Sequence, residues 1–165
     1  MAVPALVGGL LLTFGAVPAA ASPAGEPTLR QRGKIVKVVD GDTVDVALRG
    51  GRQKRVRMLG IDTPEVHGVV ECGGPQASSS LRRLLPVGTR VRLMSDPTQD
   101  RVDQYGRILR YVVKASTGRD MNRAQVRQGW ASVYVYNRNP FTRVSAYDRA
   151  QDAARAQDRG IWGLC

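Results

Sequence analysis

From residue 34 onward, apolar and polar positions alternate with a period of two, which is typical of half-buried strands. Val36 and Val38 alternate with polar residues before the Asp40-Gly41 pair. A second alternating run follows that pair: Val44, Val46 and Leu48. An Asp-Gly pair between two such runs is a strong hairpin signal. Because a Gly-Gly turn and further alternation come next, we predict a three-stranded antiparallel meander over residues 34–61.

The rest of the pattern predicts two more strands and three helices. The strands are expected at residues 91–94 and around Tyr111, where apolar residues again alternate. A helix begins at the Gly74-Pro75 pair, because Pro is favoured in a first helical turn. Two further helices are predicted over residues 121–128 and 145–159, each followed by a Gly stop. This order indicates an α+β fold that is mainly β, a five-stranded oligonucleotide-binding (OB) barrel with three helices.

The N-terminal segment is apolar and uncharged, and it ends in small residues. Residues 1–21 are therefore predicted to be a secretory signal peptide. The alternative is a membrane anchor, but the apolar run from Ala5 to Val17 is shorter than the roughly 18 residues that a spanning helix needs. Residues 22–29 are rich in Pro and Gly and predict a disordered leader before one folded domain over residues 30–165. We expect a secreted, extracellular protein without membrane contact after cleavage.

Charge changes this picture, because the chain is strongly basic. It carries 25 Lys and Arg against 14 Asp and Glu, a formal net charge of +11. A polyanion is the natural partner of such a chain. Basic charge that serves only solubility or adhesion is the alternative, so charge alone does not establish nucleic acid as the partner.

The chain has two cysteines, Cys72 and Cys165. In an oxidising compartment they are expected to form one disulfide that ties the C-terminal tail to the body of the domain. The alternative is a pair of free thiols. A zinc site is not favoured, because His67 is the one histidine and cannot complete a tetrahedral set with two cysteines unless a carboxylate joins them.

Acidic residues follow two predicted turns and could share a metal ion. Asp42 comes just after the Asp-Gly turn, and Asp62 precedes Thr63 and Pro64. A residue before Pro is held extended, so the Thr63 carbonyl oxygen need not enter a helical ladder and could act as a ligand. Oxygen ligands of this kind suit Ca²⁺. The alternative is that both segments are structural turns.

Two arginines stand out by position. Arg57 lies on the strand that leads into Asp62, and Arg107 follows a glycine turn. A guanidinium binds phosphate oxygens in a fork and stays charged, which suits a phosphoryl transition state. The alternative for each is a solvated surface charge.

Three tyrosines could stack on bases or donate to phosphate, with core packing as the alternative: Tyr105, Tyr134 and Tyr136. If their segment is extended, the last two would share one face.

Several motifs together resemble the staphylococcal nuclease family. They are Val39-Asp40-Gly41-Asp42-Thr43, the run from Arg57 to Glu65, Tyr105-Gly106-Arg107, Val126-Arg127-Gln128-Gly129 with Tyr134 and Tyr136, and Ile161-Trp162. They occur in the family's order and extend the likeness over nearly all of the predicted domain. One departure is Gln104, which stands where the family's best-known member has a basic residue.

The resemblance implies a five-stranded barrel with three helices and a secreted nuclease that cleaves DNA, RNA or both. One Ca²⁺ would be held by Asp42, Asp62 and the carbonyl of Thr63. Glu65 would orient or deprotonate the attacking water, and the two arginines of the preceding motifs, Arg57 and Arg107, would bind the phosphate. The product would carry a 3′-phosphate. A monomer acting preferentially on single strands is expected.

Two other functions remain open from the sequence. The first is an OB barrel that binds nucleic acid without cleaving it, in which we would expect one residue of the catalytic set to be replaced: Asp42, Arg57, Glu65 or Arg107. All four are present. The second is a basic module that adheres to an anionic cell surface, which would leave the acidic cluster without a role.

Overall fold

The computed structural model describes residues 27–165. The predicted signal peptide and residues 22–26 of the predicted leader lie outside this range. Among the described residues, no helix has both the length and the apolar character needed to cross a bilayer.

Five strands close into a barrel, and a small two-stranded sheet lies beside it. The strands are β1 (Arg30–Val38), β2 (Thr43–Leu48), β3 (Gln53–Met58), β4 (Ile61–Asp62), β5 (Arg90–Met94), β6 (Ile108–Lys114) and β7 (Ser132–Val133). The barrel order is β1-β2-β3-β6-β5, antiparallel except where β3 runs parallel to β6. The predicted meander and the mainly β, five-stranded OB barrel are thus confirmed.

The helices follow the predicted order but differ at their ends. They are α1 (Gly74–Leu84), α2 (Met121–Arg127), α3 (Val144–Arg155) and a short α4 (Ile161–Leu164). The prediction of α3 to residue 159 was wrong. The helix stops at Arg155, and turns follow in which Asp158 has a left-handed φ of 46°. A residue with positive φ cannot continue a right-handed helix.

Strand β1 departs from the simple alternation predicted for it. Its pairing with β2 shifts register between Ile35 and Lys37, as at a β-bulge. Ile35 and Val38 therefore point into the core, while Val36 is 36% exposed. The uninterrupted alternation predicted through Val36 and Val38 was therefore wrong, because one extra residue in a strand reverses the side-chain alternation beyond it.

An aromatic cluster holds α3 and the segment before it against the barrel. The rings of Phe141 and Tyr147 lie 5.1 Å apart, and those of Tyr111 and Tyr147 lie 6.3 Å apart. All three rings are buried. Gly60 faces the Phe141 ring so closely that a Cβ atom would lie 2.5 Å from it, and Gly60 also has a φ of +77°. The turn between β3 and β4 therefore requires glycine.

The two-stranded sheet joins the start of the acidic segment to the tyrosine segment. Ile61 pairs with Val133, and Asp62 pairs with Ser132. Just beyond this ladder, the Tyr134 backbone N–H donates to the Gly60 carbonyl at 3.1 Å. Strands of two residues are too short to give a periodic signal, so the sequence did not predict this sheet.

The predicted disulfide is present between Cys72 and Cys165, whose Cα atoms are 6.0 Å apart. It links the residue two positions before α1 to the residue that follows α4. The C-terminal tail is thereby held against the segment that follows Glu65.

Candidate active site

One cleft of about 490 Å³ gathers six of the predicted site residues. Its lining includes Arg57, Asp62, Tyr105, Arg107, Tyr134 and Tyr136. They come from β3, β4, the turn before β6 and the segment after β7. Residues that are distant in sequence therefore face one space, as a binding site requires.

Asp42 lies beside this cleft and is 5% exposed. One carboxylate oxygen, Oδ2, accepts hydrogen bonds from the backbone N–H and the hydroxyl of Thr63, both at 3.1 Å. The other oxygen, Oδ1, accepts one from the Thr43 hydroxyl at 3.0 Å. These bonds fix the Asp42 carboxylate against the segment that contains Asp62 and Thr63.

Gln125 holds the turn that carries Asp42. Its amide Nε2 donates to the Gly41 carbonyl at 2.9 Å and to the Ala77 carbonyl at 3.0 Å. The side chain is fully buried, so both bonds are shielded from water. Sequence reasoning missed this residue. The signal was a polar amide on a helix in line with buried apolar positions, which is unusual unless the amide is fully bonded.

Arg57 connects the two predicted metal-binding aspartates. Its Nε lies 3.1 Å from Asp42 Oδ1, and its Nη2 lies 2.6 Å from Asp62 Oδ1. Its Nη1 donates to the backbone carbonyl of Ile61 at 2.6 Å, which fixes the guanidinium between them. The two carboxylates thus converge on one positive charge.

Burial raises the pKa of the Asp42 carboxyl to about 7. The nearby Asp40 and Asp62 carboxylates add to this rise. The Arg57 charge and a hydrogen bond from Thr43 oppose it. A buried carboxylate in this position is stabilised in its charged form by a nearby cation. Asp42 and Asp62 offer oxygen ligands only, which fits a hard divalent ion. No group of three or more His, Cys, Asp or Glu side chains suited to a metal occurs within residues 27–165.

Arg107 is held by Asp103, four residues earlier. Its Nε lies 2.6 Å from Asp103 Oδ2, and its backbone N–H donates to Asp103 Oδ1 at 2.9 Å. Burial alone would raise the pKa of Asp103, but the hydrogen bonds and charge of Arg107 outweigh it and the pKa is lowered. Among the described residues, Nη1 and Nη2 of Arg107 have no hydrogen-bond partner, so this edge of the guanidinium is open to the cleft.

Glu65 is not among the residues that line the cleft. Its backbone N–H donates to Glu71 Oε2 at 2.9 Å, and the Glu71 N–H donates back to the Glu65 carbonyl at 3.0 Å. The Glu65 side chain is exposed. Its carboxylate makes no hydrogen bond or ion pair within the described part of the chain.

The three predicted tyrosines lie at the cleft with exposed rings. Tyr134 and Tyr136 are 46% and 55% exposed, and their ring centroids are 6.5 Å apart. Val135 between them is extended, with φ −109° and ψ 107°, and a 3-10 turn begins only at Tyr136. The two rings are therefore neighbours. Tyr105 is 73% exposed, and the Arg107 guanidinium lies 5.2 Å from the centre of its ring.

Comparison with known protein families agrees with this geometry. A family model described as "Staphylococcal nuclease homologue" matches residues 55–163. The chain belongs to the staphylococcal nuclease family. The matched region contains Arg57, Asp62 and Arg107, while Asp42 lies before it on the adjoining turn.

Individual relatives also cover most of the chain. A thermonuclease from Staphylococcus hyicus is 34% identical over 133 residues, which cover 78% of this chain and 74% of the relative. A thermonuclease from Staphylococcus intermedius is 33% identical over 132 residues, with the same two shares. Endonuclease YncB from Bacillus subtilis is 32% identical over 148 residues, which cover 84% of this chain and 67% of the relative. These similarities support a nuclease activity within the staphylococcal nuclease family.

Proposed function

We propose that this staphylococcal nuclease family member is a secreted, Ca²⁺-dependent nuclease that hydrolyses phosphodiester bonds in DNA, RNA or both. One observation carries the proposal. Asp42 and Asp62 both contact the Arg57 guanidinium, and Arg107 presents an open guanidinium edge in the same cleft. Two carboxylates and two guanidiniums gathered in this way can bind a cation and a phosphate together.

The metal ligands would be Asp42, Asp62 and the Thr63 carbonyl oxygen. Thr63 is adjacent to Asp42, as the two hydrogen bonds between them require. Within residues 27–165, no hydrogen bond reaches the Thr63 carbonyl, which is consistent with a ligand role. When bound, Ca²⁺ supplies a Lewis acid that polarises a phosphoryl oxygen and neutralises part of its charge.

Arg57 and Arg107 would bind the phosphate and stabilise the charge that develops on it. Arg107 is ready for this role, because Asp103 fixes its Nε and leaves the two terminal nitrogens open. Arg57 donates through Nη2 to Asp62, and the Nη2 group has a second N–H for a phosphate oxygen. Charge stabilisation by preorganised donors is commonly the largest contribution to such a reaction.

Glu65 would position the attacking water or accept its proton. The water oxygen forms a new bond to phosphorus, the bond from phosphorus to the 5′ oxygen breaks, and a proton on that oxygen completes a 5′-hydroxyl. The other product is a 3′-phosphate. The Glu65 carboxylate is exposed and makes no hydrogen bond or ion pair within the described residues, so it is available to a water molecule.

The exposed tyrosines favour a single-stranded substrate. Tyr134 and Tyr136 present neighbouring rings on which unpaired bases can stack, whereas bases in a duplex are already stacked. The disulfide suits the oxidising space outside the cell and supports secretion. We propose that the enzyme acts as a monomer, since the whole proposed site lies on one chain.

The direct test is digestion of single-stranded DNA by the purified protein with Ca²⁺ and then with excess chelator. We expect cleavage to new 3′-phosphate ends with Ca²⁺, and none when the metal is removed. A barrel that binds nucleic acid without cleaving it would shift the mobility of the DNA but release no fragments. Undiminished cleavage in chelator would reject the metal-dependent mechanism.

A further inference from the structure

A second cleft, of about 590 Å³, lies on the barrel wall and shares no lining residue with the first. It is formed by β1, the end of β2, β5 and the residue after β6. We call it the basic face and define it by its five cationic residues: Arg32, Lys34, Arg49, Arg90 and Arg92. No acidic side chain lines it.

The cations of the basic face stand directly opposite one another on neighbouring strands. Arg32 pairs with Arg92, and Lys34 pairs with Arg90, across the antiparallel β1–β5 ladder. Like charges in such positions destabilise a sheet. All five side chains are exposed, and within the described residues none of them forms an ion pair. Folding does not explain this arrangement, whereas an external polyanion would.

The spacing of the charges matches a phosphate backbone. Arg32 and Lys34 are two residues apart on one strand, which separates them by roughly 7 Å. A single nucleic-acid strand carries one phosphate per nucleotide, so a row of cations at this spacing can contact successive phosphates of that strand. The pairs on β1 and β5 thus form two parallel rows of guanidinium and ammonium groups.

The rest of the lining favours nucleic acid over a lipid surface. The residues between the cations are small or aliphatic, among them Gly33, Ala47, Val91 and Ala115, and none is aromatic. A membrane-binding surface normally adds Trp or Phe side chains that enter the bilayer. A face with cations but no stacking ring contacts phosphates and carries no sequence information.

We propose that the basic face binds the phosphate backbone of nucleic acid, independently of sequence and separately from the active-site cleft. The choice of nucleic acid as the polyanion rests on the proposed function. The face holds a portion of the strand that is not being cleaved, and so raises affinity for long substrates. Its effect belongs to binding and not to the chemical step.

The test measures binding of a fluorescent oligothymidylate of about 30 nucleotides in chelator, where no cleavage is expected. The variant combines Arg32→Gln, Arg90→Gln and Arg92→Gln. Loss of three phosphate contacts should lower the salt slope of log K by about 2 and weaken binding ten- to hundredfold near 0.1 M salt. Thermal unfolding should stay at or above the wild-type midpoint, because the variant relieves charge repulsion.

The matched control removes three exposed cations outside both clefts, through Arg82→Gln, Arg123→Gln and Arg149→Gln. We expect the control to keep at least most of the wild-type affinity. Equal weakening in the two triple variants would overturn the proposal, because net charge alone would then explain binding. The proposal would also be overturned if the basic-face variant lost binding to phosphatidylglycerol vesicles while its binding to DNA stayed unchanged.

This result is separable from the nuclease assignment. A chain that binds DNA through the basic face but never cleaves it would reject the proposed function and leave the basic face intact. If the wild-type chain cleaves DNA but the basic-face triple variant binds DNA as tightly as the control triple variant, the proposed function stands and the proposal for the basic face is rejected.

Discussion

Replacing Arg107 with Gln should lower kcat/KM on single-stranded DNA by about a hundredfold or more. The open Nη edge of Arg107 faces the cleft, so its loss removes donors that meet the developing charge on phosphorus. Arg57→Gln should cost at least as much, because Arg57 also compensates the charge of Asp42 and Asp62. Initial rates at low substrate concentration measure both effects.

Two further variants distinguish site chemistry from simple loss of charge. Arg107→Lys keeps the charge but loses the planar fork, so its rate should fall between wild type and Arg107→Gln. Arg82→Gln removes an exposed cation on α1 outside the cleft and should leave the rate near wild type. If Arg107→Gln stays within threefold of Arg82→Gln, Arg107 has no role in the reaction.

Breaking the disulfide should lower the free energy of unfolding by about 4–5 kcal/mol. The two cysteines are 93 residues apart, so the bond closes a long loop and removes much of the chain entropy of the unfolded state. Urea unfolding of wild type and of the double variant Cys72→Ser/Cys165→Ser measures the difference. The reduced chain should therefore unfold at a clearly lower urea concentration.

The single cysteine variants supply the control for this prediction. Cys72→Ser and Cys165→Ser break the same bond, so each alone should cost nearly as much as the double variant. Costs that add between the two positions would show that the cysteines stabilise the fold through separate contacts. An unchanged unfolding midpoint in all three variants would show that the bond contributes nothing.

Much of the fold could be predicted because its signals are local. Alternation and an Asp-Gly turn indicated the meander around Val44 and Val46, and a Gly-Pro pair marked the start of α1. The bulge in β1 was not predicted, because Ile35 and Val36 are both apolar and the sequence pattern does not show which of them faces the core. The β4–β7 sheet depends on packing between segments 70 residues apart, for which two-residue strands carry no pattern.

The candidate site, like the fold, could be predicted from the sequence only in part. The residue types and motifs indicated the carboxylates and arginines themselves, Asp42, Asp62, Arg57 and Arg107 among them. The side chains that position them could not be found this way, because Gln125 and Asp103 act through contacts that only the folded chain creates. The structure also shows Arg57 between the two aspartates, which the sequence alone did not indicate.

Ca²⁺ binding to the purified protein tests the central claim most directly, because it needs no substrate and no turnover. Isothermal titration should show one ion per wild-type chain, with affinity at least about tenfold weaker in Asp62→Asn. Asp148→Asn, which removes an exposed carboxylate on α3, should bind like wild type. Equal affinity in wild type and Asp62→Asn, or no binding by wild type, would contradict a metal site between Asp42 and Asp62.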